Sequence, residues 1–184
     1  MSKHLTVIIP STATISSLML GILAIIVLSD TDLESSRFFI AGSLIILGSI
    51  LDVLDGQLAK RLNSVSNMGK ELDSLADMVT FGVAPTILLY HLLLVVGVAK
   101  HIAILASLAF VLAGALRLAR FNTLPSDRSA YFEGMPIPMA SLLLITGSFW
   151  QHWIINIWWT VVILVVSYLM ISPFRYVKFA HAPN

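Results

Sequence analysis

No cysteine occurs among the 184 residues, which excludes disulfides, thiolate nucleophiles and cysteine-ligated zinc or iron–sulfur centres. Any bound metal must be held by oxygen or imidazole. Charge is scarce too: Asp, Glu, Lys and Arg make up only 11% of the chain, against about 25% in soluble domains. The formal net charge is +1, which leaves no basic face to track a nucleic-acid backbone. In place of charge there is hydrocarbon, with 58% hydrophobic residues and a mean hydropathy of +0.92. A soluble globule is excluded, and the question becomes how often the chain crosses a bilayer, each helical crossing taking about 20 apolar residues.

Uncharged runs place the crossings at Leu5 to Ser29, Phe38 to Leu51, Met78 to Ala99, Ile102 to Leu116 and Gly134 to Phe174. The last run is long enough for two helices. Its break falls at the cluster Trp150, His152, Trp153, Asn156, Trp158 and Trp159, because amphipathic rings favour the headgroup level. Pro136 and Pro138 suit the first turn of the fifth span, and Pro85 predicts a kink in the third. The first run is too long for a signal h-region, and Leu28-Ser29-Asp30 is not a small-residue cleavage site, so a retained helix is expected. No repeat or low-complexity linker divides the chain. The expectation is one all-α membrane domain over residues 1–184, a bundle of six transmembrane helices.

Lys and Arg set its orientation. Lys3, then Lys60, Arg61 and Lys70, then Arg117, Arg120 and Arg128, then Arg175 and Lys178 all fall on one side. The other side has Arg37 among Asp30, Asp32 and Glu34, and Lys100. The basic side is predicted to be cytoplasmic, with both termini inside.

Acids interrupt the apolar pattern at the cytoplasmic ends of spans two and three. Asp52 and Asp55 are three apart, and Gly56 and Ala59 continue their helical face. After a turn rich in Asn and Ser, where Ser66 or Asn67 offers an N-cap, Gly69, Asp73 and Asp77 recur at a spacing of four. Two antiparallel helices joined by a short turn bring these faces together. Four carboxylates at a hydrocarbon boundary repel one another unless cations intervene. Pairing with Lys60, Arg61 and Lys70 would neutralise isolated acids, but it gives no reason for four at these spacings. Oxygen-only ligands suit Mg²⁺ or Mn²⁺, and paired divalent ions clamp phosphoryl groups. The glycines let a diphosphate approach the backbone closely.

The run Asp52-Val53-Leu54-Asp55-Gly56-Gln57-Leu58-Ala59-Lys60, followed at fixed intervals by Gly69, Asp73 and Asp77, resembles the signature of the CDP-alcohol phosphatidyltransferases. Seven of eight fixed positions match; Lys60 stands where the family has Arg, and Arg61 follows it. The resemblance implies that Asp52, Asp55, Asp73 and Asp77 hold two divalent ions and that Asp77 is also the general base. It implies that Gly56, Ala59, Lys60, Gly69, Asp73 and, on span one, Thr14 meet the nucleotide. Ser17 stands where related chains often have Asn. The implied reaction is attack by an alcohol on the lipid-side phosphorus of a CDP-linked lipid, releasing CMP, in a homodimer of the cell membrane.

The stretches Gly69 to Pro85, Gly114 to Asn122 and Gly134 to Pro138 resemble the phosphatidylserine-synthase branch, which implies L-serine as the acceptor alcohol. Arg117 and Arg120 share a helix face close to Asn122; with Arg61 they are candidates for gripping an anion such as the serine carboxylate or the diphosphate. As markers of the cytoplasmic side they would instead touch lipid phosphates. Two rivals stand beside serine transfer. One keeps the chemistry but uses glycerol 3-phosphate or an inositol phosphate as acceptor. The other is a cation transporter using the same acids, against which stands their clustering towards one side.

Overall fold

The computed structural model describes residues 3–61, 67–123, 131–149, 157–173 and 175–177. Helices α1 (Lys3–Ser29), α2 (Ser36–Arg61) and α3 (Asn67–Asp77) come first. A six-residue π-helical segment, Met78–Val83, joins α3 to α4 (Ala84–Val95). Then follow α5 (Lys100–Thr123), α6 (Ile137–Phe149) and α7 (Ile157–Ile171). Among the described residues, three helical stretches are long and apolar enough to cross a membrane: Ser36–Leu54, Met68–Val95 and Lys100–Thr123. Thr14–Ser29, Ile137–Gly147 and Trp158–Ile171 are shorter apolar helices. The helical, membrane-type architecture expected from composition is therefore present.

Beyond the helices, the described residues include one short ribbon. Strands β1 (Tyr131–Glu133) and β2 (Arg175–Val177) pair antiparallel, with Phe132 opposite Tyr176. It joins the α5–α6 connection to the segment after α7. Hydrophobic patterning carries no signal for three-residue strands outside the bundle, so the helical reading omitted it.

Helix α1 packs most extensively along α2, and α5 along α7. The core between them is hydrocarbon, including Leu28, Phe38, Ile45, Phe81, Leu88, Leu92, Phe110 and Leu144. Many large apolar side chains face outward instead, among them Met19, Leu105, Leu112, Leu116 and Val165. Such a surface is stable only where the solvent is itself apolar.

The third span departs from a simple helix where Pro85 lies. A proline nitrogen has no hydrogen to donate, and its ring crowds the carbonyl one turn back. Here the deformation comes before the proline: the helix widens so that Ala84 N–H reaches the Val79 carbonyl, five residues back, and Pro85 falls in the first turn of α4. The Thr86 hydroxyl donates to the Gly82 carbonyl at 2.7 Å. The acid-bearing helix α3 and the apolar α4 are thereby one continuous stretch, Met68–Val95.

Helix α4 stops at Gly97 (φ +82°). Gly97 N–H bonds the Leu94 carbonyl and Val98 N–H the Leu93 carbonyl, each at 3.0 Å, the two bonds of a Schellman termination. Pro136 and Pro138 flank the start of α6 as expected, and the break between the last two helices falls between Phe149 and Ile157. Trp150, His152, Trp153 and Asn156 lie outside the described residues. Of that cluster, Trp158 is exposed and Trp159 half-buried.

Candidate active site

Asp52 comes from α2, and Asp73 and Asp77 from α3 one turn apart. One carboxylate oxygen from each lies within 4.8 Å of the other two. The helical spacing expected to join the two faces does so. Asp55, Ala59, Lys60 and Arg61 continue α2, but their side chains lie outside the described residues. Gly56, on the face that Asp52 begins, is exposed, and among the described residues no atom lies within 4 Å of where a Cβ would stand. A group approaching Gly56 therefore meets backbone and no Cβ. Gly69 lies one turn before Asp73 and is half-buried.

The donor set fits a hard divalent cation. Three carboxylates this close repel one another when all are ionised. Asp77 Oδ1 is buried and has no hydrogen-bond partner among the described residues, the state of an oxygen that a cation would satisfy. Arg117 is the cation from α5 near enough to attract Asp77. Arg117 Nε is itself buried, with no hydrogen-bond partner among the described residues. Its guanidinium carbon stands 6.0 Å from the Phe121 ring centroid.

The residues grouped with Arg117 in the sequence part company in three dimensions. Arg120 Nη1 donates to the Ile171 carbonyl at 3.3 Å, so Arg120 covers the C-terminal end of α7, where helix carbonyls lack partners and a cation is favoured. Asn122 Nδ2 donates to Ser74 Oγ at 2.9 Å, and the Ser74 hydroxyl in turn reaches the Lys70 carbonyl at 3.1 Å. Asn122 therefore ties the end of α5 to α3 at the residue following Asp73. No periodicity announces such a tie, because Ser74 and Asn122 are 48 apart in the chain. Because both side chains serve the same bond, Ser74→Ala and Asn122→Ala are expected to be non-additive, with a coupling of about 1 kcal/mol. Thermal unfolding of the two single variants and the double variant in detergent measures it; strictly additive losses would refute the tie.

Thr14 is buried on α1, three residues before Ser17. Ser17 turns inward: its hydroxyl donates to the Gly48 carbonyl at 3.1 Å.

Asp52 of α2 facing Asp73 and Asp77 of the next helix, with an exposed glycine beside it, agrees with the spacing of the signature. The family profile of the CDP-alcohol phosphatidyltransferases matches residues 7–168. The chain belongs to that family. Among curated members of the CDP-alcohol phosphatidyltransferase family, it is 40% identical to the CDP-diacylglycerol–serine O-phosphatidyltransferase of Bacillus subtilis over 173 residues, covering 94% of this chain and 90% of the relative. It is 41% identical to the enzyme of the same name from Methanocaldococcus jannaschii over 140 residues, 74% of this chain and 63% of that protein. The Saccharomyces cerevisiae enzyme of that name is 44% identical over 122 residues, 62% of this chain and 41% of its own length.

Proposed function

We propose that this protein transfers the phosphatidyl group of CDP-diacylglycerol, or of an ether-lipid counterpart, to the hydroxyl of L-serine, giving phosphatidylserine and CMP. The observation that carries this reading is the meeting of Asp52, Asp73 and Asp77 in a chain similar to serine-specific family members. Asp52, Asp55, Asp73 and Asp77 are the residues that would hold two Mg²⁺ or Mn²⁺ ions. Bound there, divalent ions offset charge on the diphosphate. Gly56, Ala59, Lys60 and Gly69, with Thr14 from α1, bound the nucleotide.

Asp77 takes the proton from the serine hydroxyl as the oxygen–phosphorus bond forms and the bond from phosphorus to CMP breaks. Its buried Oδ1, with no hydrogen-bond partner among the described residues, supports this role, because no neighbour there competes for the proton. Arg117, beside Asp77, meets the serine carboxylate or the diphosphate, while Arg61 lies at the cytoplasmic headgroup level. Arg120 braces the end of α7, and Asn122 borders the acids through its tie to Ser74.

Six crossings with both termini inside place this site at the cytoplasmic surface of the cell membrane. Support comes from the bonds that join the basic helix ends: Arg120 at the end of α5 reaches the end of α7, and Asn122 reaches α3 beside the acids. The family resemblance supports a homodimer. Against a cation transporter, the acids of α2 and α3 sit at one end, and α1, α6 and α7 contain no acid at all.

The test is CMP release by purified protein given CDP-diacylglycerol and Mn²⁺ or Mg²⁺, with L-serine, glycerol 3-phosphate or an inositol phosphate. Serine alone should support release, with phosphatidylserine as product, and EDTA should abolish it. Release with a phosphorylated acceptor only would overturn the serine assignment; release that persists in EDTA would overturn the metal site.

A further inference from the structure

One turn deeper in the bundle than the acids lies a second polar cluster, and it touches no solvent. Ser17 of α1 is 1% exposed and Thr80 of the π-helical segment 0%. The Ser17 hydroxyl donates to the Gly48 carbonyl of α2, and the Thr80 hydroxyl donates to the Ser17 carbonyl, each at 3.1 Å. The two bonds run in series from α2 through α1 to the third span.

Two glycines make the approach possible. A Cβ on Gly21 would stand 2.7 Å from Thr80 Oγ1 and 2.8 Å from Thr80 Cα; one on Gly48 would stand 2.9 Å from Thr80 Cγ2. Both branches of Thr80 are thus engaged, the hydroxyl on α1 and the methyl against α2. Such close backbone approach through small residues, joined by a side-chain hydrogen bond, is how helices associate where lipid offers no hydrophobic drive.

The register of this cluster relates it to the site. Gly48 is four residues before Asp52 on α2, and Thr80 is three residues after Asp77. On α2 the offset puts Gly48 one turn from Asp52 on about the same face, roughly 6 Å along the axis, and Thr80 lies in the π-helical segment that directly follows the last turn of α3, which carries Asp77. Asp52 and Asp77 come from different helices, so the separation of their carboxylates follows the packing of those helices, which the Ser17 and Thr80 bonds fix nearby.

We propose that Thr80, acting with Ser17, is a positioning residue that holds Asp52 and Asp77 at metal-binding separation. The inference rests on the reading of the acids as metal ligands. Thr80 touches neither metal nor substrate in this role; it acts through the spacing of the helices. Residues that orient metal ligands typically change metal affinity by about 10–100-fold when lost.

The experiment is Mn²⁺ binding to the purified protein without substrate, followed by the electron paramagnetic resonance signal of free Mn²⁺, alongside thermal unfolding. Thr80→Val keeps the shape and removes the hydroxyl; it should weaken Mn²⁺ binding by about tenfold and leave the KM for serine unchanged. Thr80→Ser, which keeps the hydroxyl, should restore most of the affinity. Ser17→Ala, which cuts the bond to α2, should weaken binding in the same direction and serves if Thr80→Val does not fold. Asp77→Asn is the reference. If Asp77→Asn loses Mn²⁺ while Thr80→Val and Ser17→Ala bind it as the wild type does, the positioning role is overturned and the metal site stands. If Thr80→Ser is as weak as Thr80→Val, the hydroxyl is not the cause. Unchanged Mn²⁺ binding in Asp77→Asn would overturn the metal site and, with it, this proposal.

Discussion

Asp77→Asn is expected to lower serine-dependent CMP release by about a thousandfold at saturating divalent ion, within the range that loss of a general base costs. The substitution keeps the size of the side chain and one oxygen able to ligate, but removes the basic electron pair and a negative charge. CDP-diacylglycerol binding should largely survive, because Asp52 and Asp73 remain and the open face at Gly56 is untouched. Single-turnover rates alongside equilibrium binding of the CDP-lipid separate the two effects. Turnover at the wild-type rate would remove Asp77 as the base, whatever its part in holding metal. Loss of lipid binding in step with the rate would make Asp77 chiefly a ligand.

Gly134→Ala is expected to give the largest loss of stability among substitutions that touch no charged group. Gly134 has φ +76° and is buried, and a Cβ there would lie 2.4 Å from the Met170 carbonyl oxygen and 3.2 Å from its carbon. The left-handed backbone alone costs an alanine about 1–2 kcal/mol, and the obstacle is main chain, which has no rotamer by which to retreat. The next residue is engaged as well: Met135 N–H bonds the Leu169 carbonyl at 3.2 Å. The substitution therefore loosens the α5–α6 connection from the last turn of α7, whose Ile171 carbonyl Arg120 also covers. A fall of several degrees in the unfolding midpoint in detergent is the expected reading. Gly56→Ala, where a Cβ meets nothing within 4 Å, is the control and should melt with the wild type. Equal midpoints for the two variants would show that the connection carries no strain at Gly134.

The spacing of the acids was legible because it is local. Asp52 with Asp55, and Gly69 with Asp73 and Asp77, obey helical periods that any reader of the chain can count, and a short turn leaves the two faces little choice but to meet. The apolar runs were legible for a similar reason: a membrane crossing is defined by length and composition. The arginines show where that reading ends. Arg117 and Arg120 are three apart and look equivalent, yet Arg117 lies by Asp77 and Arg120 on the end of α7. Which neighbour each meets depends on the packing of α5 between α3 and α7, and no period in α5 encodes it.

By itself, then, the sequence determined that this is a membrane protein of apolar helices, that its acids gather at one end, and that the acids follow the pattern of phosphatidyl transfer. Those properties belong to single segments or to one helix pair, so periodicity and composition express them. Only the tertiary structure decided that Pro85 is accommodated by a π-helical segment, that Asn122 is tied to Ser74, and that Ser17 and Thr80 lock three helices beneath the acids. Each of these joins residues separated by as many as 63 positions or replaces a hydrogen bond that the local chain cannot make. The physical reason is that hydrogen bonding and close packing inside a bilayer are satisfied between helices, so the partner of a buried polar group is set by three-dimensional contact and not by its neighbours along the chain.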